Sequence, residues 1–442
     1  MHNRRDFLKL LGMAVGASLS GCGGSGTDPF QTGFGTTPVG YQFVPLVRAG
    51  QALPNGKAIL SQSTGDGPPF LGGVMINDKR QVAFHALDQS DARGIYRVEA
   101  SDSGAISDVD KIIGEGDVLS NGTVVDDFSD GDLNNAGDFL VQVENPEGIG
   151  SIQYCPEGGN FEKLAEAFQD VSEAVKLSGE ICPCQALSDD GRVLYLAEYV
   201  DEDGEAEGQG LFIAQVGTPG QPELLFSKNQ MLPGSSAAID TIGALELGAG
   251  GRYLALGSAA PIGGATQVPE GTPQTYLVSG QPGIMPQVLA ADPVLGVTGT
   301  SVLQGSTYMC PRLGTNSIGV ILQLDQNKTE LRVNQRLLLQ ADFATGASLS
   351  PRGSAIISMF PPVFGPGDLL FLQIFTTDGS EIVVYDGRQF RTILGIGDLV
   401  AGKKVADMMF GALPESVNSR GELVAVVAFE DGELVVMLGL PV

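Results

Sequence analysis

A short pattern returns along the chain: an apolar residue, a cluster of Asn, Ser or Asp that usually ends in Gly, then a β-rich apolar run. The first copy reads Ile76-Asn77-Asp78-Lys79-Arg80-Gln81-Val82-Ala83-Phe84, and the last reads Val417-Asn418-Ser419-Arg420-Gly421-Glu422-Leu423-Val424-Ala425. Others open at Leu133, Leu187, Leu247, Leu313 and Leu349, which makes seven. Val, Ile and Phe suit strands, and Asn, Asp and Gly tolerate the positive φ of a tight turn. Each copy therefore reads as two strands joined by a hairpin turn.

Most copies are followed by another short apolar strand, at Gly94–Val98, Gly210–Ala214, Thr275–Val278 and Ile382–Tyr385. A second recurring piece comes next, at Ile112–Gly122 and again at Ile393–Gly402, and reads as an outer strand with its following loop. Each unit thus holds four strands, at about 57 residues per unit from Tyr41 onward. That period predicts an all-β, seven-bladed β-propeller of four-stranded blades. A two-sheet sandwich leaves seven copies unexplained. The 62 glycines, the absence of Trp and the 17% charged residues fit a turn-rich β chain. The last copy is followed by one strand, Leu434–Leu438, and then the chain ends. Its outer strand is missing, while Phe43–Arg48 is an outer strand with no unit before it. Phe43–Arg48 is therefore expected to pair with Leu434–Leu438 and close the ring, which removes an exposed sheet edge. The copies at Leu313 and Leu349 are only 36 positions apart. One of them is open to reassignment within its blade, leaving six blades or seven.

The repeated N-D-x-G-x-V-A-F pattern, with G-D-x-L pieces between copies, resembles a group of bacterial exported repeat proteins of expected propeller fold. The units Leu187–Tyr195 and Leu349–Ile357 are also similar to the blades of TolB-like propellers. This resemblance spans Tyr41–Val442 and implies architecture, not activity, because propellers host many functions.

The N-terminus carries an address. Asn3-Arg4-Arg5-Asp6-Phe7-Leu8-Lys9 resembles a twin-arginine export signal, with Arg4 and Arg5 as the pair. The apolar run Leu10–Leu19 is too short to span a bilayer. Leu19-Ser20-Gly21-Cys22 resembles a bacterial lipobox, which implies cleavage before Cys22 and lipid attachment at its sulfur. The reading divides the chain into a signal peptide over 1–21, a flexible Gly/Ser/Thr/Pro tether over 22–40 and the propeller over 41–442. Cleavage removes three basic residues and one acid, taking the formal charge from −27 to −29. Phosphate backbones repel such a chain, so nucleic acid is not an expected partner.

Chemistry is sparse. After cleavage His85 is the sole histidine, and one His cannot build a multi-histidine metal site. It reads as a packed or surface strand residue. The acidic stretches Asp126–Asp132 and Asp201–Glu205 lack the spacing of a calcium loop and read as solvated loops. No metal ligands, catalytic residues or cofactor motif are assigned. Cys155, Cys182, Cys184 and Cys310 remain besides Cys22. The oxidising destination permits a Cys155–Cys182 disulfide, since these residues fall in neighbouring blades. The long segments Asp201–Gln209, Ser258–Thr275 and Pro361–Asp368 read as loops between second and third strands. With the interblade Gly116–Gly131, they are placed on the face opposite the tight turns, where recognition is expected. The expected function is a monomeric, lipid-anchored cell-envelope module, tied to the cell or outer membrane. It binds a protein, glycan or small ligand through that face. The alternative is an exported hydrolase using loop carboxylates, and acids converging in a deep central pocket would favour it.

Overall fold

The computed structural model describes residues 40–442 apart from 55, 64–67, 102–104, 172–174, 201–205, 218–221, 236–237, 260–274, 292–307, 325–326 and 335. The expectations for Arg4, Arg5, Cys22 and the tether up to residue 39 lie outside the described residues. The strands form seven antiparallel sheets arranged as the blades of a ring. The first strand, β1 (Tyr41–Arg48), belongs to the last blade. Outward from the axis, blade 1 is β2 (Phe70–Ile76), β3 (Gln81–Leu87), β4 (Arg93–Glu99) and β5 (Asp110–Gly114). Blade 2 splits its inner strand into β6 (Asp127–Phe128) and β7 (Asp132–Leu133), then adds β8 (Phe139–Glu144), β9 (Gly150–Cys155) and β10 (Glu162–Glu166). Blade 3 is β11 (Lys176–Leu187), β12 (Arg192–Val200), β13 (Ala206–Gln215) and β14 (Glu223–Ser227). Blade 4 is β15 (Ile239–Leu247), β16 (Tyr253–Ala259), β17 (Thr275–Gln281) and β18 (Ile284–Ala291). Blade 5 is β19 (Tyr308–Leu313), β20 (Ile318–Gln323), β21 (Lys328–Val333) and β22 (Arg336–Asp342). Blade 6 again splits its inner strand, into β23 (Ile356–Met359) and β24 (Val363–Phe364), followed by β25 (Leu370–Thr376), β26 (Gly379–Tyr385) and β27 (Phe390–Gly395). Blade 7 is β28 (Leu399–Val400) paired to β29 (Lys403–Met409), then β30 (Leu423–Phe429), β31 (Leu434–Pro441) and β1.

The ring closes as the orphan strand requires. Val44 lies opposite Leu438, Val47 opposite Val436 and Arg48 opposite Val435. Arg48 also pairs with Glu433 at the seam. The apolar interior is divided into wedges between blades. On β30, Val424 and Val426 face blade 1, whereas Leu423, Ala425 and Val427 face blade 6. This period of two, with both faces covered, explains why β3 is buried along its whole length. Phe43, Leu46 and Val47 of β1 are all buried, each contributing about 1.5–3 kcal/mol to holding the seam.

The seven blades settle the question left open at Leu349. Leu349–Ile357 is not the inner hairpin of blade 6. Leu349 and Ala355 form an isolated bridge in the link from β22 to β23, where Ser350 N–H donates to Ser354 O and Gly353 N–H to Ser350 O. The link after β5 has the same two bonds, from Leu119 to Thr123 and from Gly122 to Leu119. One turn geometry thus serves two places in the repeat, and its chemistry does not say which. The true inner hairpin of blade 6 turns at Gly365–Leu369, with Gly367 at φ 62° and Asp368 at φ 61°. Pro361–Asp368 is therefore inner strand and turn, not a loop between second and third strands.

The other six copies form the expected hairpins, but the Asn residues serve them differently than φ alone requires. Positive φ falls later in the turn, at Arg80, Gly137, Gly191 and Gly421. Asn77 instead accepts from Lys79 N–H and Gln81 N–H through Oδ1, both at 3.0 Å, and its Nδ2 donates to Asn134 O of the next blade at 3.1 Å. Asn418 Nδ2 donates to Asn77 O and Asn134 Nδ2 to Ser188 O in the same way. A second row runs beside it: Ser419 N–H to Asp78, Asp78 N–H to Asn135 and Asn135 N–H to Asp189, each 2.8 Å. The two rows stitch blade 7 to 1, 1 to 2 and 2 to 3.

Candidate functional site

A groove of about 330 Å³ opens at the rim between blades 1 and 2. Such a volume is at the lower end of small-ligand sites. Its walls include Arg97 of β4, Lys111 of β5, Leu119 of the interblade link, Phe139 of β8, and Cys155 and Phe161 at and beyond the end of β9. The link is pinned into place by Ser120 Oγ donating to Phe161 O and Asn121 Nδ2 donating to Gln153 Oε1. That link lies within Gly116–Gly131, one of the four long segments picked out from the sequence. The groove also takes in Gly137 of the blade 2 hairpin turn and Cys155 beside it, so it opens toward the tight-turn end and not on the opposite face where recognition was expected. Lys111 is neutralised by Asp117 at 2.6 Å. The side chain of Arg97, half-buried, makes no hydrogen bond or ion pair with the described residues. Its charge reaches the groove and also helps hold the nearby Glu157 carboxyl below its ordinary range, after the hydrogen bonds from Lys79 and Gln81. Burial pushes the Cys155 thiol upward, and the Arg97 charge opposes that shift. Val118 stands 69% exposed at the same lining.

The second polar cluster lies at the inner strands, near the tight-turn end of the axis. Asp132, Glu246 and Arg312 each sit one residue before the apolar residue that opens their hairpin. They are 6%, 8% and 7% exposed. Asp132 Oδ2 accepts from Leu187 N–H at 2.6 Å, tying blade 2 to blade 3. Its Oδ1 is buried with no N–H or O–H donor, and the Glu415 carboxyl faces it. Burial, then Glu415, holds the Asp132 carboxyl well above the ordinary range. Glu246 is pushed up to about 8, chiefly by burial, although Arg312 Nη1 lies 3.7 Å away and pulls it down. The stretch Asp126–Asp132 is therefore not a solvated loop. It supplies an inner strand, with Asp127 bound to Arg93 and Asp130 O meeting His85 Nε2 at 2.7 Å. His85 itself is a packed strand residue, 2% exposed.

Cys155 and Cys182 are not bridged. Cys155 Sγ contacts Pro156 O at 3.6 Å and Gly159 O at 3.7 Å in its own turn. Cys182 lies far along β11 and receives Gln209 Nε2 of β13 at 3.4 Å. Neighbouring blades were the right assignment, but the two thiols are spent on different partners. Residues 201–205 and 260–274 of the other long segments lie outside the described residues. Among the described residues no group of three or more His, Cys, Asp or Glu side chains is arranged to hold a metal ion. No described helix is long and apolar enough to cross a membrane.

No protein-family model matches the chain, and no curated protein does. Some solved structures are similar over most of the chain at low identity. BBS1N, crystallised in complex with ARL6DN, is 10% identical and covers 91% of this chain and 98% of its own, with a TM-score of 0.41. The BP39L lectin from Burkholderia pseudomallei is 11% identical over 86% of this chain and 99% of its own, at 0.41. The WD40 domain of Toxoplasma gondii coronin is 11% identical over 92% and 89%, at 0.37. At such identities and TM-scores nothing about ligand or partner passes from these proteins to this one.

Proposed function

We propose that the chain is exported by the twin-arginine route, acylated at Cys22, and held at the cell envelope as a binding module. Its ligand is a small acidic molecule with an apolar body, seated in the groove between blades 1 and 2. The observation that carries this reading is Arg97, a half-buried guanidinium that makes no hydrogen bond or ion pair among the described residues, although its charge is felt by Cys155 and by Glu157, in a chain with 52 acids. A carboxylate on Arg97 would gain a charge-assisted bond, and Phe139, Phe161 and Leu119 would cover the apolar part. The hydrolase alternative needs reachable carboxylates. Of the three acids that converge at the inner strands, Asp132, Glu246 and Glu415, the first two are buried and none lines this groove. The groove's own acids are Asp110 and Asp117, the latter tied to Lys111. The test uses 3-phenylpropionate as probe, followed by ligand-observed NMR on the mature chain. Binding is expected with wild type and is lost in Arg97→Gln. Equal binding of the neutral 3-phenylpropionamide, or retention in Arg97→Gln, refutes the site.

A further inference from the structure

Blade 7 contains an insertion that the hairpin repeat does not require. Between β29 and Val417 the chain runs inward through Phe410–Ser416, with a 3-10 turn at Pro414–Ser416. It begins against blade 6, where Phe410 N–H donates to Gln373 Oε1 at 2.7 Å. It then crosses the inner strand of blade 1. Leu413, 4% exposed, lies over Gly73, and a Cβ at Gly73 would stand 2.3 Å from Leu413 Cγ. Ser416 Oγ donates to Val74 O at 3.1 Å. Glu415 ends the crossing against Asp132 of blade 2. One segment thus straps blades 6, 7, 1 and 2 together across the inner strands.

At its tip two carboxyls meet. Carboxylates only accept, so a bond between them requires a proton. Asp132 cannot turn away, since Oδ2 already takes Leu187 N–H and Oδ1 has no other donor. The charged group facing the pair is Glu246 from β15, which in turn faces Arg312 from β19 at 3.7 Å. Three carboxyls against one guanidinium leave a net charge of −2 if all ionise, in a place where burial penalises charge. We propose that Asp132 and Glu415 form a proton-held clasp: one shared proton fastens the Phe410–Ser416 strap across the inner strands, and loss of that proton releases it. The strap opens as pH rises and re-closes as it falls. Nothing in this device depends on the rim groove.

The test is hydrogen–deuterium exchange of the mature chain, read at the amides of 410–416 and corrected for the intrinsic pH dependence of exchange. In wild type the opening constant of the strap is expected to rise about tenfold per pH unit once the pair titrates. Asp132→Asn keeps an oxygen for Leu187 N–H and supplies its own N–H to Glu415, so no proton is needed. Its strap should stay protected across the range. Glu415→Gln makes the same exchange from the other side and serves if Asp132→Asn folds poorly. Glu246→Gln should leave the wild-type pH response in place. The clasp is overturned if wild-type protection does not change with pH, if both amide variants lose protection as wild type does, or if Glu246→Gln alone abolishes the response. It is also overturned if calcium chloride restores protection at high pH in wild type, because the pair would then be taking a metal ion.

Discussion

Gly73 offers a clean steric test of the strap, because its backbone is not in the left-handed region and an alanine there is strained only by what it meets. The added Cβ would stand 2.3 Å from Leu413 Cγ and 2.6 Å from Leu413 Cδ1. Carbon atoms rest at about 3.5–4.0 Å, so Leu413 must retreat by more than about 1 Å. Overpacking of this kind costs about 1–3 kcal/mol. Leu413→Ala removes the obstacle and a buried side chain together, and costs about 2–5 kcal/mol. In the double variant the methyl added at position 73 enters space that Leu413 has vacated. The steric cost disappears and part of the cavity is filled. The double variant should therefore be more stable than the sum of the singles by about 1–3 kcal/mol. Urea unfolding of the four proteins measures this, with unchanged m-values as the check that the same structure unfolds. Additivity within about 0.5 kcal/mol, or a harmless Gly73→Ala, would show that Leu413 does not sit on Gly73.

Asn134→Ala removes the donation to Ser188 O and the acceptance from Asp138 N–H. A loss of about 1–3 kcal/mol is expected by urea midpoint, and Asn134→Asp, which keeps only the acceptor, should fall between. Val47→Asp puts a carboxyl at a fully buried position of the seam and should destabilise by about 3 kcal/mol or more, with oligomers visible by light scattering. The raised Glu246 carboxyl gives a pH dependence. The folded chain keeps this proton up to about pH 8, whereas the unfolded chain releases it near 4.5, so stability is lost as pH rises through that window. The slope approaches about 1.4 kcal/mol per pH unit, and Glu246→Gln should flatten it in urea titrations at several pH values. Cys22→Ala should yield a protein without lipid by mass analysis, and Lys at positions 4 and 5 should block twin-arginine export; normal acylation or undiminished export through that route would refute the address.

Blade number, strand order and closure were legible because they rest on period and on an orphan strand, both properties of the sequence as a line. The Leu349 copy misled because Ser350-Pro351-Arg352-Gly353 makes the same turn in an interblade link that Asn134–Gly137 makes in a hairpin. Local turn chemistry carries no information about radius. The clasp was hidden for a different reason. Asp132 stands among Asp126, Asp127 and Asp130, and composition alone reads such a run as solvated. Only the split of the inner strand into β6 and β7 turns Asp132 inward. Glu415 lies 283 positions away, in a Leu-Pro-Glu-Ser stretch with no motif at all. Arg97 was within a strand already identified, but its lack of a hydrogen bond or ion pair among the described residues is a fact about neighbours.

The seam also sets a clock. β1 is the first strand of the domain to be made, and β31 the last, so the partner of Val47 is synthesised almost four hundred residues later. At about 5–20 residues per second, β1 waits roughly 20–80 s beside the ribosome with its apolar residues unpaired. Blades 1 and 6 pack against it through Leu46, Val47 and Phe43, whereas blades 2 to 5 share no core cluster with it among the described residues and can form in turn as they emerge. Blade 7 cannot, and its completion is the moment at which the whole ring becomes circular. Under the export of a folded chain proposed above, this molecule has a natural starting signal. The strand that follows the proposed tether is the strand whose docking reports that the ring is complete.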